Sequence, residues 1–159
     1  MSGLDVRFPA DAAAALKAGG WYPDRRKLLR AEAWARTLAE AGHAVFPAAI
    51  EAFAEFGEVS VDVKGPGVDV ARTSFTIDPM LGLHQPRTVA DLGRALELPT
   101  CPLGEERDGA ALLVLDAAGR VYSLDHAGEW FLGQSVDQAL ITLILGFAPE
   151  RLRPVADTL

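Results

Sequence analysis

The 159-residue chain is half hydrophobic and 23% charged, and it carries a formal net charge of −7. This composition is ordinary for a folded soluble domain, and the lack of any run of about 18 apolar residues argues against a transmembrane helix. Residues 1–9 lack a basic segment followed by an apolar one, so no secretion signal is predicted. The single cysteine, Cys101, excludes an internal disulfide and suits a reducing compartment. We therefore expect one cytoplasmic domain over residues 1–159, with its core at about residues 10–152.

The negative charge is concentrated in the second two thirds of the chain. Residues 1–50 hold seven Lys/Arg and five Asp/Glu, whereas residues 51–159 hold eight Lys/Arg and seventeen Asp/Glu. An acidic surface repels nucleic acid and favours a basic partner through complementary fields. The alternative is that the acidity only keeps the protein soluble, and the sequence leaves both interpretations open.

Apolar stripes and stop signals predict three helices in the first 57 residues. They cover residues 12–18, 30–41 and 47–56. Asp11 is expected to cap the first helix, and Pro47 opens the third where a missing amide hydrogen is harmless. Trp21, in the loop after the first helix, is expected to pack on the domain rather than to serve as an exposed binding residue.

Hairpins and two further helices are predicted in the rest of the chain. The segment from Cys101 to Asp125 is expected to form a central hairpin whose Leu112–Leu115 run is covered on both faces. An earlier hairpin is expected from residues 59–63, 68–70 and 74–77, and a short strand or extended loop from residues 129–133. Helices are predicted at residues 89–98, capped by Thr88, and at residues 136–145, opened by a capping box at Ser135.

Hairpin connections favour antiparallel pairing with segregated helices, because a doubly wound sheet would need regular strand–helix alternation. The predicted fold class is therefore α+β. An antiparallel sheet built from hairpins is flanked by N-terminal, central and C-terminal helices.

No strong catalytic, cofactor or metal motif occurs in the sequence. His43, His84 and His126 lack metal-ligand spacing with one another or with Cys101. Cys101 has no basic neighbour that would form a thiolate, so a buried, inert thiol is expected. The segment 65–67 (Gly-Pro-Gly) lacks the Lys-Ser/Thr and the helix of a phosphate-binding loop. We predict no catalytic, cofactor-binding or metal-binding residues.

Acidic residues cluster in sequence near the ends of the central hairpin. They are Glu105, Glu106, Asp108, Asp125 and Glu129. A glycosidase would need two such carboxylates in a cleft with pKa values driven apart. Nothing local indicates that arrangement, so exposed turn carboxylates are the simpler interpretation.

A series of short motifs, together with a Trp-bearing second helix, resembles the SUKH superfamily of bacterial immunity proteins, its third subfamily in particular. In chain order the motifs are Ala18-Gly19-Gly20-Trp21-x-Pro23-x-Arg25, Phe53-x-x-Phe56-Gly57, Ile77-Asp78-Pro79, Pro102-Leu103-Gly104, Gly119-Arg120-Val121-Tyr122 and Gly133-x-Ser135-x-Asp137-x-Ala139-Leu140. The resemblance spans about residues 16–152. One departure is Glu58, where the family pattern usually has a second Gly.

The resemblance implies a helix-flanked antiparallel sheet and no catalysis. It implies stoichiometric binding that blocks the active site or substrate path of a cognate polymorphic toxin, often a nuclease or nucleobase deaminase. Such a toxin needs a basic surface for its substrate, which an acidic inhibitor can occupy. Neither nucleic acid, a membrane nor a cofactor is expected as a partner of this chain.

The candidate partner-binding residues are acidic, with one aromatic anchor. They are Asp78, Glu105, Glu106, Asp108, Asp125, Glu129 and Trp130. Packing against the closing helix is the alternative role for Trp130. Two rival functions stay open: a general intracellular protein-binding module of the same fold with a non-toxin partner, and a small hydrolase that uses the hairpin-end carboxylates.

Overall fold

The computed structural model of the protein describes residues 7–152, and seven strands of that range pair in chain order into one antiparallel sheet. The strands are β1 (Ser60–Val61), β2 (Phe75–Ile77), β3 (Thr100–Glu106), β4 (Ala111–Asp116), β5 (Val121–Asp125), β6 (Gly128–Gly133) and β7 (Glu150–Arg151). The helices are α1 (Ala10–Ala18), α2 (Leu28–Glu40), α3 (Pro47–Phe56), α4 (Pro86–Leu96) and α5 (Val136–Leu145), with a 3₁₀ turn at Pro79–Gly82. The predicted α+β class is confirmed. The single domain predicted for residues 1–159 extends beyond the described range and stays a prediction.

Strand β4 lies in the middle of the sheet, and every one of its residues is buried. Leu113 and Leu115 belong to a large core shared with α1, α2, α3 and α5. Leu112 and Val114 belong to a smaller core that includes Val89 and other residues of α4. The sheet is therefore the middle of three layers, and the prediction that residues 112–115 are covered on both faces is confirmed.

The segment from Cys101 to Asp125 contains three strands, one more than the expected hairpin. The turn between β3 and β4 carries Asp108-Gly109, both at positive φ, and the Ala110 amide donates to the Arg107 carbonyl. Asp-Gly is a strong signal for this type of hairpin turn. Gly104 follows a register shift in β3, and a Cβ there would stand 3.0 Å from the Ile77 Cα. Only glycine permits β2 and β3 to approach this closely.

Three helices begin earlier than the sequence predicts, and one of them is α2, which starts at Leu28 rather than at residue 30. Helix α1 starts at Ala10 after Pro9, so Asp11 lies in its first turn and the expected cap is wrong. Helix α4 starts at Pro86, which places Thr88 inside the helix rather than at its cap. Pro86 occupies the first helical position of α4, where its fixed φ favours the helix, whereas Pro9 is the residue that precedes α1.

The capping box predicted for α5 is only half formed. The Gln138 amide donates to the Ser135 hydroxyl at 3.1 Å, as expected. The Gln138 side chain, however, accepts from the Gln134 amide at 2.9 Å instead of reaching Ser135. Helix α5 still spans residues 136–145, as predicted.

The strand expected at residues 68–70 is absent from the sheet, because this segment instead covers the C-terminus of α5. The amides of Val68 and Val70 donate to the carbonyls of Leu145 and Gly146, both at 2.9 Å. Arg72 Nε donates to the Ile144 carbonyl at 2.9 Å. The last carbonyls of a helix have no partner within the helix, and this loop supplies them.

Trp21 and Glu58 occupy positions that the sequence motifs singled out. The ring of Trp21 is buried, and its Nε1 donates to Glu55 at 3.0 Å, which confirms that it packs on the domain. Glu58 has φ +72°, in the left-handed region that favours glycine. The glycine usual in the family pattern at this place is therefore explained by the backbone, and Glu58 adopts the same conformation.

Asp116 ends β4 and is fully buried. Its Oδ1 accepts from the amides of Ala118 (2.9 Å) and Arg120 (3.0 Å), and its Oδ2 accepts from Arg120 Nε (3.0 Å) and Tyr122 Oη (2.7 Å). Burial, and then the bond to Asp116, raise the pKa of Tyr122. This carboxylate therefore fixes the β4–β5 turn and one end of the smaller core.

Replacing Asp116 with alanine is expected to lower the free energy of unfolding by about 3–5 kcal/mol, because it leaves several buried donors unpaired. Tyr122→Phe should cost about 1.5–3 kcal/mol, the value of one hydrogen bond to a charged group. Asp11→Ala, at the exposed first turn of α1, serves as the control and should cost about 0.5 kcal/mol or less. Urea denaturation followed by circular dichroism measures all three. A loss at Asp116 as small as that at Asp11 would contradict this account.

Candidate partner-binding pocket

Three of the residues predicted to bind a partner, Glu106, Asp125 and Trp130, line one pocket of about 460 Å³. Strand register brings them together. Ser123 pairs with Trp130 across β5 and β6, and alternation places Asp125 on the same face as Ser123. Glu106 at the end of β3 faces the same side, since its hydroxyl donor is Ser123. This is the sheet face that α5 covers.

Glu106 is a buried carboxylate at the base of the pocket, with only 6% of its surface exposed. The Ser123 hydroxyl donates to its Oε2, and Arg107 Nε lies 3.3 Å from its Oε1. Arg107 also donates to Asp125 Oδ2 at 3.2 Å. A buried charge is costly unless it is paired, and here one guanidinium serves two carboxylates.

Asp125 is held in its ionised form by hydrogen bonds. Its Oδ1 accepts from the amides of Ala127 (2.9 Å) and Gly128 (3.0 Å) and from Trp130 Nε1 (3.3 Å). Burial alone would raise the pKa of Asp125, but the bonds from Trp130, Ala127, Arg107 and Gly128 outweigh it and lower that pKa. A lowered pKa suits a partner for a cation and does not suit a general acid.

Arg107 reaches both carboxylates from a left-handed backbone conformation, with φ +52°. Its amide donates to the carbonyl of Ser74, the residue before β2, at 3.0 Å, which connects the β3–β4 turn to the start of β2. A non-glycine residue in this region costs about 1 kcal/mol or more, and such strain is concentrated at functional sites. Sequence reasoning missed Arg107 and Ser123. The Asp108-Gly109 turn signal could have located Arg107 at the start of the β3–β4 turn, directly after Glu106.

The remaining wall of the pocket is mostly apolar, with the two threonines Thr73 and Thr142. It is formed by Val70, Leu132, Leu143, Phe147 and neighbouring small residues. Val70 and Phe147 are 44% and 37% exposed, and Val68 beside them is 63% exposed. The pocket thus has charged residues at its floor, Trp130 on one side and exposed apolar residues at its edge.

The other predicted contact residues lie elsewhere. Glu105 lines a depression of about 300 Å³ with Asp62 and Asp108, and a second one of about 260 Å³ with Asp125 and His126. Glu105 pairs with Leu112, so it faces the α4 side of the sheet, opposite to Glu106. The turn at residues 107–110 therefore borders both the pocket and these acidic depressions.

Asp78 and Glu129 do not line the pocket. Asp78 is half-buried and caps the 3₁₀ turn, accepting from the Met80 amide at 2.9 Å. Glu129 is half-buried in β6 and pairs with Leu124 in the ladder. Exposure is confirmed for Asp108, whereas the expectation of exposed turn carboxylates is wrong for the buried Glu106 and for the partly buried Glu105, Asp125 and Glu129.

The thiol and the imidazoles form no reactive cluster with the pocket. Cys101 is buried, as expected, and burial raises its pKa to about 12. His43 is buried and its Nε2 donates to the Leu83 carbonyl at 2.9 Å, while His84 and His126 are exposed. Within residues 7–152, no three His, Cys, Asp or Glu side chains are placed to hold a metal ion. Among the described helices, none has the length and apolarity that crossing a bilayer requires.

Comparison with protein families gives one match that spans most of the chain. The family model for the SUKH-3 immunity protein matches residues 8–146. Searches of curated proteins and of solved structures gave no significant match. The matched range includes every strand from β1 to β6, all five helices and every residue that this chain is predicted to use for binding.

Arg107→Ala is expected to lower the free energy of unfolding by about 1–2 kcal/mol, since it leaves Glu106 buried beside no cation. This loss is smaller than for a fully buried ion pair because the Arg107 side chain is 49% exposed and solvent screens its charge. Alanine at position 107 has the same left-handed backbone strain as arginine, so the change in unfolding free energy reports the loss of the ion pairs. Arg94→Ala, which breaks an exposed pair with Asp91, is the control and should cost about 0.5 kcal/mol or less. Equal costs in urea denaturation would show that Arg107 does not compensate Glu106.

Proposed function

Because the chain belongs to the SUKH-3 immunity protein family, which was matched over residues 8–146, we propose that it binds one cognate toxin and neutralises it by stoichiometric occlusion. The family match is the observation that carries this proposal. The blocked toxin is one that acts on nucleic acid, a nuclease or a nucleobase deaminase. The protein works in the bacterial cytoplasm, where such a toxin would meet its substrate.

Charge supports a toxin of this class. A protein that acts on nucleic acid presents a basic surface to the phosphates, and this chain carries a net charge of −7. Glu105, Asp62 and Asp108 lie together beside the pocket, where they extend its negative charge across the β3–β4 turn. Complementary fields speed association and suppress wrong partners. The same acidity disfavours nucleic acid or an anionic membrane as the partner of this chain.

The pocket supports binding rather than catalysis. It brings Glu106 and Asp125 together, as a hydrolase would require, but Asp125 is held ionised by its donors. Ser123 directs its hydroxyl hydrogen to Glu106, and none of the three histidines lines the pocket. Ser123 is only 3% exposed, so its hydroxyl is poorly accessible to a substrate. We therefore assign no reaction to this site.

A general protein-binding module with a non-toxin partner is the second candidate, since the same pocket and acidic depressions would serve it. The gene neighbourhood separates the two candidates. The decisive experiment is a pull-down with the product of the adjacent large gene, followed by co-expression. One-to-one binding with rescue of growth supports immunity. Failure of both with folded protein overturns immunity and favours the module.

Reversing the charge of Asp62, Glu105 and Asp108 to lysine is expected to slow association with the toxin about tenfold or more at low salt, because steering depends on local complementary charge. Glu106 is left intact because it is buried and a lysine there would unfold the site. The matched control reverses Asp11, Glu32 and Glu40, which are exposed on α1 and α2. Stopped-flow association rates at two salt concentrations measure the effect. If both triple variants slow association equally, the acidic depressions are not part of the binding face.

A further inference from the structure

We propose that the pocket lined by Glu106, Asp125 and Trp130 receives an arginine side chain of the partner. The inference rests on the proposed function for the identity of the partner, and it deepens that function by naming the group that is recognised. The pocket belongs to this chain alone, so its preference for a guanidinium is measurable without any toxin.

The charge balance of the pocket calls for one more cation. Of the residues within 7–152 that line it, only Glu106, Arg107 and Asp125 are charged. Two carboxylates against one guanidinium leave a net charge of −1 within a largely apolar wall. Arg107 is already shared between both carboxylates, at 3.3 Å from Glu106 Oε1 and 3.2 Å from Asp125 Oδ2. An incoming cation would complete the neutralisation that Arg107 begins.

The hydrogen-bond inventory points the same way. Each carboxylate oxygen can accept about two donors. Glu106 Oε2 accepts from Ser123, Glu106 Oε1 is ion-paired with Arg107, and Asp125 Oδ2 accepts from Arg107. Asp125 Oδ1, with three donors, is filled. Both oxygens of Glu106 and Asp125 Oδ2 therefore keep acceptor capacity, which suits a ligand that donates several hydrogen bonds from one group.

The walls fit the stem and the plane of an arginine. Val70, Leu132 and Phe147 offer apolar surface on which a methylene chain can lie while its charged head reaches the carboxylates. The half-buried Trp130 ring offers a face for stacking. Arg151, which does not line the pocket, already holds its guanidinium 5.3 Å from the centroid of this ring.

Arginine fits better than lysine for a physical reason. A guanidinium is planar, stacks on aromatic rings, is weakly hydrated and presents five donors in a fixed fork. An ammonium is strongly hydrated and would have to lose that hydration against a partly filled set of acceptors. The acceptors are also fixed in place, since Ala127 and Gly128 hold Asp125 and Ser123 holds Glu106.

The first test titrates the ¹⁵N-labelled protein with a capped Gly-Arg-Gly peptide and follows the Trp130 indole N–H by NMR. The buried indoles of Trp21 and Trp34 serve as internal references. Matched peptides carry lysine or the neutral isostere citrulline in place of arginine. We expect a saturable shift of the Trp130 signal with the arginine peptide alone, at about millimolar affinity. No shift, or an equal shift with lysine or citrulline, overturns the proposal.

The second test compares a substitution in the pocket with one on an exposed helix face. Glu106→Gln should abolish the response to the arginine peptide, whereas Glu32→Gln, exposed on α2 and outside the pocket, should leave it unchanged. If Glu106→Gln does not fold, Asp125→Asn replaces it, since an amide oxygen still accepts from Ala127 and Gly128. A response that survives the pocket substitution, or one that is lost equally in Glu32→Gln, overturns the assignment.

With a toxin in hand, Glu106→Gln should raise its dissociation rate about tenfold or more, and Glu32→Gln should change that rate less than threefold. A toxin that binds the native protein and dissociates equally fast from both variants overturns the arginine site and leaves the immunity function standing. If no toxin binds while the peptide response holds, the guanidinium site stands and the proposed function alone fails.

Discussion

The burial of β4 on both faces is the constraint on which the rest of the structure depends. All six residues from Ala111 to Asp116 are buried, so neither face of the sheet can meet water at its centre. The helices before β1 and after β6 cover one face, and α4, inserted between β2 and β3, covers the other. Asp116 ends the strand with a charge that is fully buried, and the β4–β5 turn is built around satisfying its two oxygens.

Helix α5 links that core to the pocket. It is apolar almost all round and lies on the same sheet face as Ser123 and Trp130. The carbonyls at its C-terminus have no partner within the helix and lie near the sheet edge. Residues 68–73 satisfy those carbonyls with backbone amides and with Arg72. Val68 and Val70 therefore stay exposed, and Val70 forms part of the apolar edge of the pocket. A requirement of the fold thereby creates surface suited to a partner.

The pocket holds three charged groups in fixed positions. Arg107 has a left-handed backbone and contacts both carboxylates, Glu106 is buried, and the donors Trp130, Ala127, Arg107 and Gly128 keep Asp125 ionised. Fixed acceptors would need little reorganisation when a ligand arrives, and on our proposal the acidic depressions across the β3–β4 turn increase the rate of encounter at longer range. Within one fold, variation of these side chains would alter which toxin is recognised without touching the core.

The sequence by itself determined the fold class, the bounds of α3 and α5, the burial of residues 112–115 and the family resemblance. Those features depend on signals that act within one helical turn or one strand, such as Pro47, Ser135 and the continuous apolar run of β4. Only the tertiary structure decided that Glu106 rather than the adjacent Glu105 faces α5, that residues 68–70 cap α5 instead of pairing as a strand, and that Arg107 joins two carboxylates. Each of these depends on strand register or on contacts between segments far apart in sequence. A shift of one residue in strand register exchanges the two faces of the strand, so the local pattern could not place the charges of the pocket.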